Sequence, residues 1–450
     1  MTRLARLLLA TLAWLFLLTP AFAFDAGRYG DVRLALPRGA PRGYVVLFSD
    51  AGGWTAEDQA RLDALAGAGA LAVGVDTDAY LARVASVPDK CDQLVGDTEG
   101  LSRRMQREHA GAEYFYPLLV GEGEGGALAG AILAQAPGAT LGGAVSIDPW
   151  SVLETSHGFC PRVVTRDDAG ERMTFRVPIL KQFWTVALTP RVTQATRAHF
   201  ESLPVVAPQI DVRAIDASPP PSALAAILAP HLVPDDFDNV ANLPLIELPA
   251  ASPSRLMAVF LSGDGGWRDI DKTIGENLQS LGVSVVGWDS VRYFWRKKTP
   301  EETARDLSAV IRAYSAKWGA DQIALIGFSF GADVLPFLYD RLRPGLKRHV
   351  AMLSLLSAGQ AADWEIRVVG WLGAGPSAEA TPLAPALKRI PGRLIQCFYG
   401  DKDTGSSCPQ MAALGAEVIE KQGSHHFDGD YGLMARQILA GFKRRAGDGS

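Results

Sequence analysis

Apolar runs of strand length recur along this chain, separated by stretches in which apolar positions return every three or four residues. In the second half, the run at 256–262 reads as a buried strand, and a glycine-rich turn, a helical pattern to about residue 281, the stop Gly282 and the run "VSVVGW" follow it. The next helix is marked at both ends. Thr299 is its expected N-cap, Pro300 its first residue and Glu302 the capping-box partner, with Leu307, Val310, Ile311, Tyr314 and Trp318 on one face and Gly319 as stop. The strand "QIALIG" comes next, then a further helical segment, with more strands expected near 349–356, 393–399 and 416–420. Short apolar strands alternating with helices predict a mainly parallel sheet covered on both faces.

The same pattern occurs twice. "YVVLFSDAGGW" ending at Trp54 parallels "MAVFLSGDGGW" ending at Trp267, and "VGVDT" around Asp76 parallels "VGWDS" around Asp289; both pairs are 213 residues apart. A shared offset across two motifs points to an internal duplication. Between the copies, "DASPPPSALAAILAPHLVPDDFDNVANLP" holds three consecutive prolines, which cannot pair into a sheet, so it reads as a linker. The expected organisation is a leader at 1–23, a first α/β-hydrolase-like domain at 24–216, a linker at 217–240 and a second α/β-hydrolase-like domain at 241–446. A length of 450 residues suits two cores better than one.

Composition changes this picture little. The chain is 48% apolar and 21% charged with a net charge of -5, and its basic residues are dispersed, so a nucleic-acid role has no electrostatic footprint. The opening "MTRLARLLLATLAWLFLLTPAFA" has two arginines, an apolar stretch and the small-residue pattern Ala21-Phe22-Ala23. It reads as a secretory signal peptide, with an uncleaved anchor as the alternative. Export makes the four cysteines interpretable, since disulfides persist in oxidising compartments. One bridge per half, Cys91 with Cys160 and Cys397 with Cys408, is the simplest of three pairings. A metal site is a poor alternative, because no pair has C-x-x-C spacing.

Candidate chemistry centres on "LIGFSFGAD" (325–333), where a strand, G-x-S-x-G and a helical segment succeed one another. In that setting Gly327 and Gly331 permit a strained turn that exposes the Ser329 hydroxyl at the top of the sheet. A serine needs a base oriented by a carboxylate, in the chain order Ser, acid, His. "QGSHHFDGDY" offers His425 and His426, and the frame G-x-H-x-F selects His425; "QCFYGDKD" offers Asp401 and Asp403, and the frame counted from Gly400 favours Asp403. If Cys397 and Cys408 pair, their bridge closes the loop that holds the acid. The expected oxyanion donors are the backbone N–H groups of Phe330 and, in "SGDGGW", of Asp264. That loop lacks the Lys-Ser/Thr end of a phosphate cradle. In the first copy "GEGEGGA" stands where the second has "GFSFGA", which puts Gly123 at the nucleophile position and predicts a catalytically dead unit.

"SGDGGW", "VGWDSVRYFWRKKTPEE", "GFSFGADVLPF", "YGDKD" and "HHFDGDY" together resemble the VirJ/AcvB family of bacterial exported virulence-type proteins, and the two-copy arrangement resembles the AcvB branch. The resemblance implies a periplasmic serine hydrolase without cofactor or metal. Its implied substrate is an aminoacylated anionic phospholipid at the membrane surface, lysyl- or alanyl-phosphatidylglycerol, with protein partners reached through the first copy. A broad carboxylesterase, or a non-catalytic interaction protein of a secretion machinery, are the alternative readings.

A cationic α-amino group calls for a carboxylate, and Asp264, Asp289, Asp333, Asp363 and Glu365 are the acids near expected sheet-top loops. The segment "RYFWRKK" interleaves Tyr293, Phe294 and Trp295 with Arg292, Arg296 and two lysines. It suits either a lipid headgroup layer or a lid whose aromatics pack on the core.

Overall fold

The computed structural model describes residues 26–447 except 89–90, 112, 137–139, 156, 161–163, 167–171, 176–179, 181, 233–239 and 368–375. The leader expected at 1–23 lies outside the described residues. Among those described, no helix is long and apolar enough to cross a membrane.

Two seven-stranded sheets share one topology. The first holds β1 (Arg33–Ala35), β2 (Gly43–Phe48), β3 (Ala70–Val75), β4 (Leu118–Glu122), β5 (Gly143–Ile147), β6 (Phe183–Leu188) and β7 (Ile210–Ala214) in the order 1-3-2-4-5-6-7. The second holds β8 (Leu245–Leu248), β9 (Leu256–Leu261), β10 (Ser284–Trp288), β11 (Gln322–Phe328), β12 (Val350–Leu356), β13 (Ile395–Gly400) and β14 (Glu417–Lys421) in the order 8-10-9-11-12-13-14. Within these two sheets only β1 and β8, each at one edge, run antiparallel. Strands β2, β3, β9, β10 and β12 are buried along their whole length because helices cover both faces, which is why they read as unbroken apolar runs. Each half of the chain is an α/β-hydrolase-like domain.

The duplication extends to side-chain packing. Thr77 donates through its hydroxyl to the Ser49 carbonyl and through its N–H to the Ser49 hydroxyl oxygen; Ser290 and Ser262 repeat this 213 residues later. Trp54 lies over Gly74 and Trp267 over Gly287, where a Cβ would meet the indole at 2.2 and 2.7 Å. That contact explains a glycine in the middle of each "VG-x-D" strand.

One local expectation needs correction. The proline-rich stretch is not all linker: Pro221 starts the helix Pro221–Leu228, whose Leu224 and Leu228 pack with Leu62 and Leu65 of the first domain. Proline is accommodated there because the first turn of a helix has no use for its missing N–H. Helix Pro300–Trp318 is capped by the Thr299 hydroxyl, which accepts from the Glu302 N–H, and the Glu302 carboxylate interacts with both the Thr299 backbone and Lys298.

The two domains meet along the helix Leu94–His109 of the first. Tyr114 and Trp295 pack with Val291 in a small apolar cluster that joins the domains. Disulfides Cys91–Cys160 and Cys397–Cys408 are both formed, one in each half, as suits an oxidising compartment.

Candidate active site

Strand β11 ends in a turn that only small residues allow. A Cβ on Gly327 would lie 2.5 Å from the Gly331 backbone, and one on Gly331 would lie 2.3 Å from the Leu261 carbonyl. Between them Ser329 takes φ 51°, a left-handed conformation that costs a non-glycine residue roughly 1–3 kcal/mol. The Ser329 N–H donates to the Leu356 carbonyl, and helix Phe330–Arg341 starts at the next residue. The strained turn thus lifts the hydroxyl above the carboxyl ends of the parallel strands, where such sheets bind ligands.

The loop after β14 brings His425 to it. His425 Nε2 lies 2.8 Å from Ser329 Oγ, and its Nδ1 lies 3.1 Å from Asp403 Oδ2. With Nδ1–H donated to the carboxylate, Nε2 is left as the acceptor for the serine proton. Ser357 Oγ holds the loop by donating to the His425 carbonyl at 2.8 Å. The neighbouring carboxylate serves the backbone instead, for Asp401 accepts from the Gly423 N–H at 2.8 Å and fastens the turn before the histidines. His426 points away from the serine; burial lowers its pKa, and its ring packs on Phe328. The bridge Cys397–Cys408 spans the loop that carries Asp403, and the Ser407 N–H, donating to the Ala358 carbonyl, ties that loop to the end of β12.

The glycine-rich loop after β9 lies beside Ser329. Leu261 pairs with Gly327 across the sheet, and a Cβ on Gly263 would come within 3.6 Å of the Ser329 Cβ. The turn closes through the Gly266 N–H, which donates to the Gly263 carbonyl at 3.1 Å. Asp264 and Phe330 therefore flank the serine from two directions.

The first copy gives an independent view of these two positions. Gly123 adopts φ 53°, so the turn is kept without its side chain. Asp50 Oδ1 accepts from the N–H groups of Ala51 and Glu124, both at 2.8 Å. Ala51 corresponds to Asp264 and Glu124 to Phe330, so an anionic oxygen of the protein itself sits where the second copy would receive an oxyanion. A larger cleft of about 550 Å³, lined by Asp50, Glu122, Asp148, Trp150 and Arg191, opens over this filled site.

Above Ser329 lies a cavity of about 170 Å³ lined by Asp264, Phe330, Asp333, Asp363, Glu365 and Arg367. Burial, with Asp264, Asp363 and Asp403 nearby, pushes the Asp333 carboxyl well above the usual range, although Oδ1 accepts from the Gly359 N–H at 2.6 Å. Asp363 accepts from the N–H and hydroxyl of Ser377. Four of the five candidate acids thus line one cavity.

The fifth does not. Asp289 is 1% exposed, caps the short helix Ser290–Tyr293 through the Arg292 N–H, and accepts from the Tyr116 hydroxyl of the first domain at 2.6 Å. Its carboxylate is spent at the domain interface. Of the two readings of the aromatic–basic segment, burial favours aromatics packed on the core: Tyr293, Phe294 and Trp295 are fully buried, so their rings cannot enter a headgroup layer. Phe294 packs on Phe330 at 4.9 Å between ring centroids and forms a wall behind the site. Arg292 stacks over Tyr116, and Arg296 pairs with Glu113 at 3.7 Å. Among the described residues, no group of three or more His, Cys, Asp or Glu side chains is arranged to hold a metal ion.

Residues 255–446 match the model of the family described as bacterial virulence protein (VirJ). No curated protein matches the chain. Similar solved structures include Est1E from Butyrivibrio proteoclasticus with ferulic acid bound, at 12% identity over 46% of this chain and 96% of that one, with a TM-score of 0.34. An alpha-beta serine hydrolase homologue from Coxiella burnetii matches at 20% identity over 44% and 88%, TM-score 0.31. The esterase domain of a Rhodothermus marinus protein matches at 17% over 45% and 91%, TM-score 0.31. The fold assignment rests instead on the strand order and the turn at Ser329, and the similarity to the VirJ family extends over residues 255–446 of the second half.

Proposed function

We propose that the second domain is a serine ester hydrolase that removes the aminoacyl group from lysyl- or alanyl-phosphatidylglycerol in the periplasm. The observation that carries this reading is the hydrogen-bonded series Ser329, His425 and Asp403 opening into a cavity lined by carboxylates. An aminoacyl ester presents an ammonium one carbon from its carbonyl, and an acid-lined cavity beside the nucleophile complements that charge.

Ser329 Oγ attacks the ester carbonyl as His425 Nε2 takes its proton, and Asp403 stabilises the imidazolium. The carbonyl oxygen, now anionic, is received by the N–H groups of Phe330 and Asp264. Collapse breaks the bond to the glycerol oxygen, which leaves with the proton from His425 as phosphatidylglycerol. Water, deprotonated by His425, then attacks the aminoacyl-serine, and the free amino acid departs as Ser329 regains its proton. The flanking aromatics being buried, the lipid meets the site through its headgroup.

Purified protein and a Ser329→Ala variant, each given aminoacyl-phosphatidylglycerol and a simple aryl ester, test this reading. Release of amino acid by the unaltered protein alone is the expected result. Turnover of the aryl ester alone would leave a broad carboxylesterase, and turnover of neither would refute an enzyme.

A further inference from the structure

The first domain has lost its nucleophile, yet one face of its helix Leu94–His109 is built against the second domain's site. Glu99, Arg103 and Arg107 recur every fourth residue and so share that face. The buried Arg103 guanidinium pairs with Glu99 at 3.3 Å and donates to the carbonyl of Gly265, the residue after Asp264. Glu99 also pairs with Arg268 at the far end of the same glycine-rich loop. One helical turn on, Arg107 donates to the Trp295 carbonyl at 3.0 Å, to the Glu365 carboxylate at 3.1 Å and to the Ile366 carbonyl, and lies 4.0 Å over the Trp295 ring. Glu365 and Ile366 line the cavity above Ser329. Both walls of the site are thus held by arginines from the other domain.

We propose that this helix is a positioning element for the second domain's active site: Arg103 sets the loop that presents the Asp264 N–H, and Arg107 sets the wall that carries Glu365. The inference rests on the ester-hydrolase reading. A charged side chain at each point is needed because the groups it holds are carbonyl oxygens and a carboxylate, for which a guanidinium offers several donors in a fixed plane. The first copy therefore completes the second instead of duplicating it.

The test uses the full-length chain with Arg103→Met, Arg103→Lys and Arg107→Met. A Ser146→Ala variant removes a buried hydrogen bond from Trp184 within the first domain and away from this helix, and so controls for destabilisation alone. Steady-state kinetics on the aryl and aminoacyl esters are combined with the rate at which a fluorophosphonate labels Ser329. Loss of alignment at an oxyanion donor predicts that Arg103→Met lowers kcat on both esters about 10- to 100-fold with KM nearly unchanged, and slows labelling in proportion. Arg103→Lys recovers part of the loss. Arg107→Met raises KM for the aminoacyl ester more than for the aryl ester.

Wild-type kcat and labelling in Arg103→Met, or a fall matched by Ser146→Ala, overturns the proposal. Should Arg103→Met fail to fold, Glu99→Gln, which weakens the pairing to both Arg103 and Arg268, is read in the same way. If the unaltered protein hydrolyses neither ester, the activity is refuted, and the labelling rates alone decide the positioning role: equal rates overturn it.

Discussion

Asp50 Oδ1 accepts a hydrogen bond from the Glu124 N–H at 2.8 Å, next to a glycine that has kept the backbone of a nucleophile turn. A Cβ on Gly123 would lie 1.9 Å from that same oxygen. Restoring the missing side chain therefore cannot restore chemistry. Gly123→Ser should lower the unfolding free energy by about 1–3 kcal/mol through overpacking, and Ser329→Ala/Gly123→Ser should remain unlabelled by a fluorophosphonate. Denaturant unfolding and active-site labelling check the two halves of this expectation.

The two acids after β13 separate by role. Asp403→Asn keeps the shape of the site but offers the wrong partner to His425 Nδ1–H, and kcat should fall on the order of 10³- to 10⁴-fold with the fold intact. Asp401→Asn weakens only the fastening of the Gly423 N–H, so its cost should appear as a lower melting temperature with kcat within a few-fold of wild type. A loss of kcat shared equally by both variants would remove the distinction.

Much of this is legible in the sequence because it is local. Parallel strands buried on both faces announce themselves as apolar runs, and the frames G-x-S-x-G and G-x-H-x-F contain residues that the structure brings within hydrogen-bond distance. Asp289 is harder to place. A carboxylate before a helix reads equally as cap or ligand, and only the approach of Tyr116 from 173 residues away shows which role it has. "YFW" misleads for a related reason, since three consecutive rings have no period by which to tell inside from outside. Glu99, Arg103 and Arg107 carry charges at helical spacing, the ordinary pattern of a solvated face, and nothing in that helix reveals that a second domain covers it.

The disulfide in the second domain tests how far the acid loop must be held. Cys397 and Cys408 are 11 residues apart, and a loop of that length loses about 3 kcal/mol of constraint on the unfolded chain when opened. The double variant Cys397→Ala/Cys408→Ala should show that loss in denaturant unfolding. Because Asp403 lies inside the loop, kcat should also fall, and reductant should slow the unaltered protein but not the variant. Unchanged kcat in the variant would show that the contacts to Ala358 suffice to hold the carboxylate.

Asp333 gives a prediction whose sign depends on pH. Burial raises its carboxyl pKa, so the native state holds a proton that the unfolded chain releases near the ordinary aspartate value. Stability from this group is therefore present below the unfolded pKa and declines as pH rises towards the folded one, the reverse of a paired carboxylate. Asp333→Asn keeps an oxygen for the Gly359 N–H and removes the titration. Its unfolding free energy should match wild type near pH 4 and exceed it near pH 8. If Asp333 also receives the substrate ammonium, the same variant should raise KM for the aminoacyl ester at pH 8 while leaving the aryl ester alone. A gain in stability without that change in KM would assign the ammonium to Asp264, whose carboxylate makes no hydrogen bond to any described residue and faces the same cavity.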